Sequence, residues 1–141
     1  MEKEIIIRCR AIILYKDKLL AVKHTEESKH LALPGGHLEW SEKILDSIKR
    51  EIIEELGIEP KIGRLLYVNN LIKDGKQNFE FFFEITNAGD YFKAKDFIGT
   101  HRQELFDIVW LTKNDTRKLL PSKVQVDLNS GAILSDIVRF I

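Results

Sequence analysis

Residues 36–58 read GHLEWSEKILDSIKREIIEELGI, and this stretch decides the fold. Its second half, Arg50-Glu51-Ile52-Ile53-Glu54-Glu55-Leu56-Gly57, places the carboxylates of Glu51, Glu54 and Glu55 on one face near the end of an expected helix. Like charges at this spacing repel, and the negative end of the helix dipole disfavours them further. The pattern therefore predicts a bound divalent cation. The alternative is a solvated acidic face.

An amphipathic helix is predicted to carry these carboxylates. Ser41 is a good N-cap, and Trp40 can pack against Leu45 across the first turn as a hydrophobic staple. Gly57 supplies a C-terminal stop. The apolar positions recur at helical spacing, at Ile44, Leu45, Ile48, Ile52 and Leu56. The glutamate face lies beside this stripe, so the helix can pack on a sheet and still present carboxylates at the margin of a cleft.

The rest of the chain alternates strands and turns and ends in helices. The predicted strands are residues 5–15, 19–23, 31–33, 64–72, 78–85 and 106–112, with a hairpin turn at Asp74-Gly75. Residues 86–102 are predicted to be mostly an irregular loop, residues 115–120 a short helix and residues 130–141 a last helix. This order predicts an α/β fold, a three-layer α/β/α sandwich with a mixed sheet, as a single domain over residues 1–141.

The composition argues against several function classes. Lys+Arg and Asp+Glu both number 22, so the net charge is zero and no basic excess points to nucleic acid or a membrane. Cys9 is the only cysteine, which excludes an intrachain disulfide and fits a reducing compartment. Residues 1–4 are charged, and no apolar run approaches the roughly 20 residues of a membrane span. We therefore expect a cytoplasmic protein without a signal peptide.

The spacing of the glycines, glutamates and arginine is specific. From Gly36 there are five residues to Glu42 and seven more to Arg50-Glu51, and Glu54-Glu55 and Gly57-Ile58 follow. This pattern resembles the Nudix box of the Nudix (MutT-like) hydrolases at every defining position. The resemblance implies the Nudix sandwich fold, Mg²⁺ (or Mn²⁺) as the cofactor and a nucleotide-type small molecule as the substrate. Homodimers are common in the family.

The resemblance also implies a set of metal ligands. Glu54 and Glu55 are the first candidates and Glu51 the next. A backbone carbonyl from Gly35 or Gly36 often joins them in the family. The two glycines could instead form only a tight turn. The resemblance favours a loop that passes close to the helix.

Two side chains beside these ligands have more than one interpretation. Arg50 either orients Glu54 one turn later, as the resemblance favours, or is a surface cation. Glu42 either suits the helix dipole in the first turn or reaches Arg50 or a second ion through water.

Two positions are open for the general base: a glutamate of the box, or a glutamate from a later loop. Glu104 lies six residues before Trp110, where related enzymes often carry an extra acidic ligand or base. An exposed loop residue is the alternative interpretation of Glu104. His101 and Arg102 are close by in sequence, where they could contact phosphate or only solvent.

Three residues are candidates for substrate binding. Arg8 and Arg10 point to one face of the first strand, where they could hold a phosphate or a base or be surface charge. Phe82 is a candidate for stacking on a base. It lies on the face opposite the set predicted to be core, Phe79, Phe81 and Phe83.

Together these features predict a Mg²⁺-dependent Nudix hydrolase that cleaves the phosphoanhydride bond of a nucleoside diphosphate linked to another moiety. Nucleoside triphosphates, modified nucleotides and nucleotide sugars all stay open as substrates. The residues expected to act in catalysis are Glu51, Glu54, Arg50 and Glu104. The alternative function is a Nudix-fold domain that senses a nucleotide without hydrolysing it.

Overall fold

The computed structural model describes residues 3–141 of the chain, in which four strands precede the first helix. The strands are β1 Ile5–Ile12, β2 Leu14–Tyr15, β3 Lys18–Lys23, β4 Gly35–His37, β5 Ile62–Lys73, β6 Lys76–Ile85, β7 Asp107–Leu111 and β8 Arg139–Phe140. The helices are α1 Ile44–Leu56, α2 Ala88–Lys93 and α3 Ser122–Ser130, with a 3-10 turn at Arg102–Glu104. Met1 and Glu2, part of the charged segment at the start of the sequence, lie outside the described residues.

The strands build two sheets. The larger sheet has the order β4-β1-β6-β5-β8. Its β1–β6 and β5–β8 pairs are parallel and its other pairs antiparallel, so the sheet is mixed, as predicted. The smaller, antiparallel sheet has the order β2-β3-β7. The hairpin between β5 and β6 turns at Asp74-Gly75, as predicted, with φ values of 53° and 73°.

Apolar side chains fill two cores. One core packs residues of β1 and β3 against α1 and α2 and includes Ile48, Ile52 and Tyr91. The other packs Phe82 of β6 against Leu128 of α3. Helices thus cover both sides of the sheets, which confirms the three-layer α/β/α sandwich. Among the helices of residues 3–141, none is both long enough and apolar enough to cross a membrane.

The start of α1 differs from the prediction. Ser41 is not the N-cap, because it has a left-handed φ of 63° and the helix begins after Lys43. Trp40 is 98% exposed and does not staple onto Leu45. The turn before the helix is held instead by Glu42, whose carboxylate accepts a hydrogen bond from a backbone N–H of the same turn. The predicted end of the helix is confirmed, with a left-handed glycine directly after Leu56.

The two predicted C-terminal helices are wrong. Residues 115–120 are not helical, because Asp115 accepts hydrogen bonds from the backbone and side chain of Arg117 and because Leu119 bridges to Leu31. Helix α3 ends at residue 130, where the last helix was predicted to begin, since Gly131 takes a left-handed φ of 74°. The following residues instead add β8 to the edge of the larger sheet.

Three further segments differ from the prediction in the elements that they form. Residues 5–15 form β1 and β2 with a break at Ile13. Residues 31–33 contribute only isolated bridges, to Val22 and Leu119. The segment predicted to be mostly irregular, residues 86–102, contains α2.

Candidate active site

Two glycines lie where strand β4 passes over helix α1. Gly35 pairs with Arg10 and Gly36 with Cys9 across the β1–β4 ladder. Gly35 has a φ of 141°, and a Cβ there would lie 2.0 Å from the carbonyl oxygen of Cys9. A Cβ on Gly36 would lie 2.6 Å from the carboxyl carbon of Glu51. These glycines therefore permit close approach within a strand, rather than a tight turn.

Arg50 is the centre of a cluster of carboxylates. It donates from Nε to Glu42 Oε2 at 2.7 Å and from Nη2 to Glu42 Oε1 at 3.0 Å, a fork that engages both oxygens. Nη2 also donates to the carbonyl oxygen of His37 at 3.2 Å. The hydrogen bonds from Arg50 hold the pKa of Glu42 down at about 2. Of the two interpretations of Glu42, the structure supports direct contact with Arg50.

The same guanidinium orders the carboxylates further along α1. Nη1 donates to Glu51 Oε1 at 3.0 Å and to Glu54 Oε2 at 3.3 Å. We call Arg50, Glu42, Glu51 and Glu54 the Arg50 clamp. Burial raises the pKa of Glu51, the charge of Arg50 opposes this shift, and Glu54 adds to it. Arg50 therefore contacts Glu54, which it was predicted to orient, and Glu51 as well, so it is not a free surface cation.

Glu55 lies deeper than the clamp. It is 7% exposed, and its Oε2 has no hydrogen-bond partner within residues 3–141. Burial, followed by the charge of Glu51, raises the pKa of Glu55 to about 8. A buried carboxylate oxygen without a partner is costly unless the group holds a proton or meets a cation. This atom is therefore where positive charge is most needed.

Glu51, Glu54 and Glu55 fit a hard divalent ion by their chemistry, since Mg²⁺ takes carboxylate oxygens. They do not yet surround a common point. Within residues 3–141 no group of three or more His, Cys, Asp and Glu side chains is placed to hold an ion. Arg50 binds Glu51 and Glu54 instead, while Glu55 Oε2 is left without a partner. The unpaired oxygen is what an ion would satisfy, so the residues fit the ion and the complete ligand set stays a prediction.

The loop before β7 rests on the end of α1. The His101 N–H donates to the carbonyl oxygen of Glu54 at 2.6 Å, and His101 Nδ1 lies 3.1 Å from Glu54 Oε2. Glu104 is exposed, and its charge contributes to the raised pKa of Glu55. Arg102 donates to a carbonyl oxygen of its own loop at 2.8 Å. The structure thus brings His101 into contact with Glu54 and Glu104 within electrostatic reach of Glu55, whereas Arg102 supports the loop.

The two arginines of β1 lie on one face, as predicted. Arg8 Nη1 donates to Asn78 Oδ1 at 2.9 Å, and Arg10 Nε donates to Glu80 Oε2 at 3.1 Å. Arg10 also donates from Nη1 to the carbonyl oxygen of Leu33 at 3.2 Å. Both guanidiniums are therefore held by protein partners within the sheet and are not free surface charges.

Phe82 is not available to stack on a substrate. Its side chain is 0% exposed and meets the ring of Tyr67 edge-on, with 6.0 Å between the ring centroids. The prediction failed because helices cover both faces of the central strand β6. Phe83, on the opposite face, is also buried, so the alternation of phenylalanines does not separate an inner from an outer side.

Two polar residues beside Arg10 were not predicted from the sequence. Asn69 lies opposite Glu80 in the β5–β6 ladder, and Asn69 Nδ2 donates to Glu80 Oε1 at 3.1 Å. The signal in the sequence is weak: Glu80 is a charged residue between Phe79 and Phe81, whereas Asn69 is followed by a second asparagine, Asn70. Asn69 and Glu80 become neighbours of Arg10 only through the strand order β1-β6-β5, which the structure supplies and the local sequence does not.

Comparison with known proteins places these features in a class. The fold and the glycine strand over a glutamate-bearing helix define a Nudix-type domain. The NUDIX domain model matches residues 7–128, so the chain belongs to the NUDIX family, the Nudix (MutT-like) hydrolases.

Three similar proteins illustrate the breadth of the family. A probable DHNTP pyrophosphohydrolase of Lactococcus lactis subsp. cremoris (strain MG1363) is 42% identical over 60 residues, 42% of this chain and 36% of that protein. Diphosphoinositol polyphosphate phosphohydrolase 3-alpha of Mus musculus is 28% identical over 106 residues, 74% and 61% of the two chains. The chain thus spans less than two thirds of each relative. The crystal structure of a MutT NUDIX hydrolase from Burkholderia pseudomallei shares the fold at a TM-score of 0.69 and 23% identity, over 89% of this chain and 97% of that one.

Proposed function

We propose that this chain is a Mg²⁺-dependent (or Mn²⁺-dependent) hydrolase of the phosphoanhydride bond in a nucleoside diphosphate linked to another moiety. The observation that carries the proposal is the carboxylate arrangement on α1. Within the Arg50 clamp, Arg50 holds Glu51 and Glu54 in place. The buried Oε2 of Glu55 has no partner within residues 3–141. A bound cation would stabilise such a cluster. Because the chain has zero net charge, the same cation would also supply the positive charge that an anionic substrate needs.

The side chains have distinct proposed roles. Glu51, Glu54 and Glu55 would hold the ion, with a backbone carbonyl of Gly35 or Gly36 beside them. When bound, the ion supplies charge neutralisation on phosphate oxygens and a more acidic water. Arg50 keeps two of the ligands oriented.

The general base is one of the glutamates near this cluster. Glu54 is contacted by Arg50 Nη1 at 3.3 Å and by His101 Nδ1 at 3.1 Å, which restricts its orientation. Glu104 is exposed and within electrostatic reach of Glu55, which makes it the second candidate for the base. Separate Gln variants of Glu54 and Glu104, compared in kcat, assign the base.

The substrate class rests on the family and on the relatives. The names pyrophosphohydrolase and phosphohydrolase of the two curated relatives support a phosphorus-containing anhydride. Nucleoside triphosphates, modified nucleotides and nucleotide sugars are the proposed candidates, with a second copy of this chain as the proposed partner. The single buried cysteine suits a cytoplasmic location.

The test is Glu54→Gln, compared with Glu59→Gln as a matched control on the same chain. Glu59 lies just beyond α1 and pairs with Lys49 at the surface, away from the clamp. We expect Glu54→Gln to lower kcat on a nucleotide panel with Mg²⁺ by about 100-fold or more. It should also weaken Mn²⁺ binding measured by calorimetry, while Glu59→Gln retains both properties.

Two outcomes would count against the proposal. A folded Glu54→Gln protein with undiminished hydrolysis and Mn²⁺ uptake would overturn the assignment of the ion to this cluster. A wild-type protein that a nucleotide stabilises against heat, without release of any product, would establish the sensing alternative.

A further inference from the structure

Helix α1 covers only part of one face of the larger sheet. It shares a core with Cys9 and Ala11 of β1 and with Ile85 at the end of β6. Within residues 3–141, neither core includes Phe79 or Phe81 from the first half of β6. Both side chains are partly exposed. The same face of the sheet therefore stays open to solvent beyond the edge of the helix.

The register of the strands shows that this face continues to the edge strand β8. Residues directly opposite each other in a sheet point to the same side. Phe81 lies opposite Cys9 on one side and Val68 on the other, and Val68 lies opposite Phe140. Because Cys9 points into the core beneath α1, Phe140 lies on the side of α1 as well. Its side chain is 79% exposed.

A second row of side chains crosses the same face near the β5–β6 hairpin. Gln77 lies opposite both Ile5 of β1 and Ile72 of β5. Ile5 shares the face of Cys9, since the two are four residues apart on one strand. The Ile5 and Ile72 side chains are 65% and 73% exposed. The open part of the sheet thus carries large apolar groups on three strands in addition to β6.

Helix α1 borders this open part with an apolar flank. Glu51 lies next to Gly36 of β4, so the glutamates point toward β4, which lies on the other side of β1 from β6. At 100° per residue, Leu45 and Lys49 lie on the opposite flank of the helix. Leu45 is 54% exposed there. We call the resulting surface the open apolar face; its members are Ile5, Leu45, Ile72, Phe79, Phe81 and Phe140.

The open apolar face has the area of one half of a dimer interface. A large apolar side chain presents about 150–250 Å² when fully exposed, so these six side chains expose on the order of 500 Å². An interface of standard size takes about 800 Å² from each partner, and about 65% of a homodimer interface is apolar. One copy of this chain therefore supplies about the apolar area that such a contact needs.

Charged groups stand at the edges of the open apolar face and carry both signs. On the flank of α1, Lys49 pairs with Glu59 at 2.8 Å and also lies near Asp46. At the other end Lys3 precedes β1, and Asp74 lies in the hairpin turn. A polar rim around an apolar centre is the usual composition of an interface. Because neither sign dominates, the rim does not oppose contact between two identical surfaces.

We propose that the open apolar face binds the same face of a second copy of this chain. A two-fold contact requires a surface that is complementary to itself, and two apolar sheet faces can pack directly on each other. Leu45 and Phe140 stand at opposite ends of the face, so Leu45 of each copy would lie near Phe140 of the other. The inference names the surface for the second copy that the proposed function includes as a partner, and it does not depend on hydrolysis.

The test is sedimentation equilibrium of the full chain and of three lysine variants. Ile72→Lys and Phe140→Lys each change an exposed side chain of the open apolar face, on two different strands. Val126→Lys is the matched control, because Val126 is also exposed but lies on α3, which packs on the opposite side of the sheet. Circular dichroism shows that each variant is folded.

The wild type should form a dimer with a dissociation constant of about 1 µM or lower, as interfaces of this size do. Ile72→Lys and Phe140→Lys should each raise this constant about 100-fold or more, because the two-fold axis places two unpaired charges in the apolar contact. Val126→Lys should leave it within about threefold. A wild type that stays monomeric at about 100 µM would overturn the inference and leave the face to a different protein. A dimer that both folded variants of the face retain would also overturn it.

Sedimentation needs no turnover, so its result is separate from the hydrolytic proposal. The glutamates lie on the flank of α1 away from the contact, and folded Ile72→Lys should therefore bind Mn²⁺ within about threefold of the wild type. If the dimer depends on Ile72 and Phe140 but no nucleotide is hydrolysed, the proposed function fails and this inference stands. If hydrolysis occurs in a protein that is always monomeric, the proposed function stands and this inference fails.

Discussion

Arg50 and Glu55 show how this chain tolerates several negative charges on one helix face. Arg50 neutralises part of the charge by binding Glu42, Glu51 and Glu54 at once. Glu55 is beyond its reach and is buried, and its raised pKa means that it keeps a proton near neutral pH. In the metal-free protein, Arg50 and the proton on Glu55 thus neutralise negative charge that a bound ion would otherwise neutralise. Binding an ion should release that proton.

The proton on Glu55 predicts the direction in which the free energy of unfolding changes with pH. Its pKa is about 8 in the folded protein against an ordinary value of 4.5, so between these pH values the folded state holds a proton that the unfolded chain has lost. Stability should therefore fall as the pH rises through this window, by at most about 1.4 kcal/mol per pH unit. Glu55→Gln removes the group and should flatten the dependence.

The measurement is urea unfolding in EDTA at pH 5, 6, 7 and 8. Glu59→Gln is the control, because Glu59 is exposed and its lowered pKa places its titration below this window. Wild type and Glu55→Gln showing the same slope would contradict the assignment of the proton to Glu55.

Strand β4 lies close to both strand β1 and helix α1, and one glycine permits each of these contacts. The two glycines do this in different ways. A Cβ on Gly35 would collide with the backbone of β1, which cannot move without breaking the ladder. A Cβ on Gly36 would meet the end of the Glu51 side chain, which can rotate away. Gly35 is therefore needed for the backbone of the fold, and Gly36 is needed for the position of Glu51, a proposed metal ligand.

Paired alanine variants test this division. Gly35→Ala should lower the free energy of unfolding by about 2 kcal/mol or more, through backbone strain and the clash with Cys9. Gly36→Ala should change it by less than about 1 kcal/mol but weaken Mn²⁺ binding about tenfold, because Glu51 is displaced. Urea unfolding and calorimetry on both variants give the comparison. Equal loss of stability in the two would disprove the division.

The elements that the sequence predicted well are those with a local physical cause. The Asp74-Gly75 hairpin and the end of α1 depend on residues that accept positive φ, and both are confirmed. The start of α1 was mispredicted because a good serine cap was outweighed by a contact eight residues away, from Glu42 to Arg50. The predicted C-terminal helix is absent because Gly131, its second residue, takes a left-handed φ and ends α3.

The whole molecule has two cores, and a buried polar network supports one of them. Asp127 of α3 is 3% exposed and accepts hydrogen bonds from Tyr67 at 2.7 Å and from Arg139 at 3.0 Å, with Lys123 at 2.9 Å from its other oxygen. Arg139 also lies over the Tyr67 ring, 4.0 Å from its centroid. This network joins α3, β5 and the C-terminal strand on the side of the sheet away from α1.

Removing Asp127 should therefore destabilise the whole fold. Asp127→Ala leaves the partly buried Arg139 without its carboxylate, and we expect a loss of about 3–5 kcal/mol in the free energy of unfolding. Asp136→Ala is the control, because that exposed carboxylate also pairs with an arginine, Arg64, and should cost at most about 1 kcal/mol. Denaturant unfolding measures both, and similar losses in the two variants would contradict a special role for the buried network.

The difference between local spacing and long-range strand order explains how much of the site could be predicted. Glu51, Glu54, Glu55 and Arg50 lie on one helix, so their spacing alone predicts which side chains share a face. Glu80 and Asn69 flank Arg10 only because β6 lies between β1 and β5, an order that local sequence does not encode. Phe82 was misassigned for the same reason, since its burial depends on the helix packed over its strand.

Trp40 has a practical consequence. Its indole is 98% exposed, while that of Trp110 packs edge-on against Phe92 at 5.0 Å. A water-exposed indole emits at longer wavelength than a packed one, so the red side of the fluorescence spectrum belongs to Trp40. Trp40 stands between Glu39 and Glu42, in the turn that Glu42 ties to Arg50. The protein thus carries an intrinsic optical reporter beside its carboxylates, and paramagnetic quenching of that signal can follow Mn²⁺ without any added label.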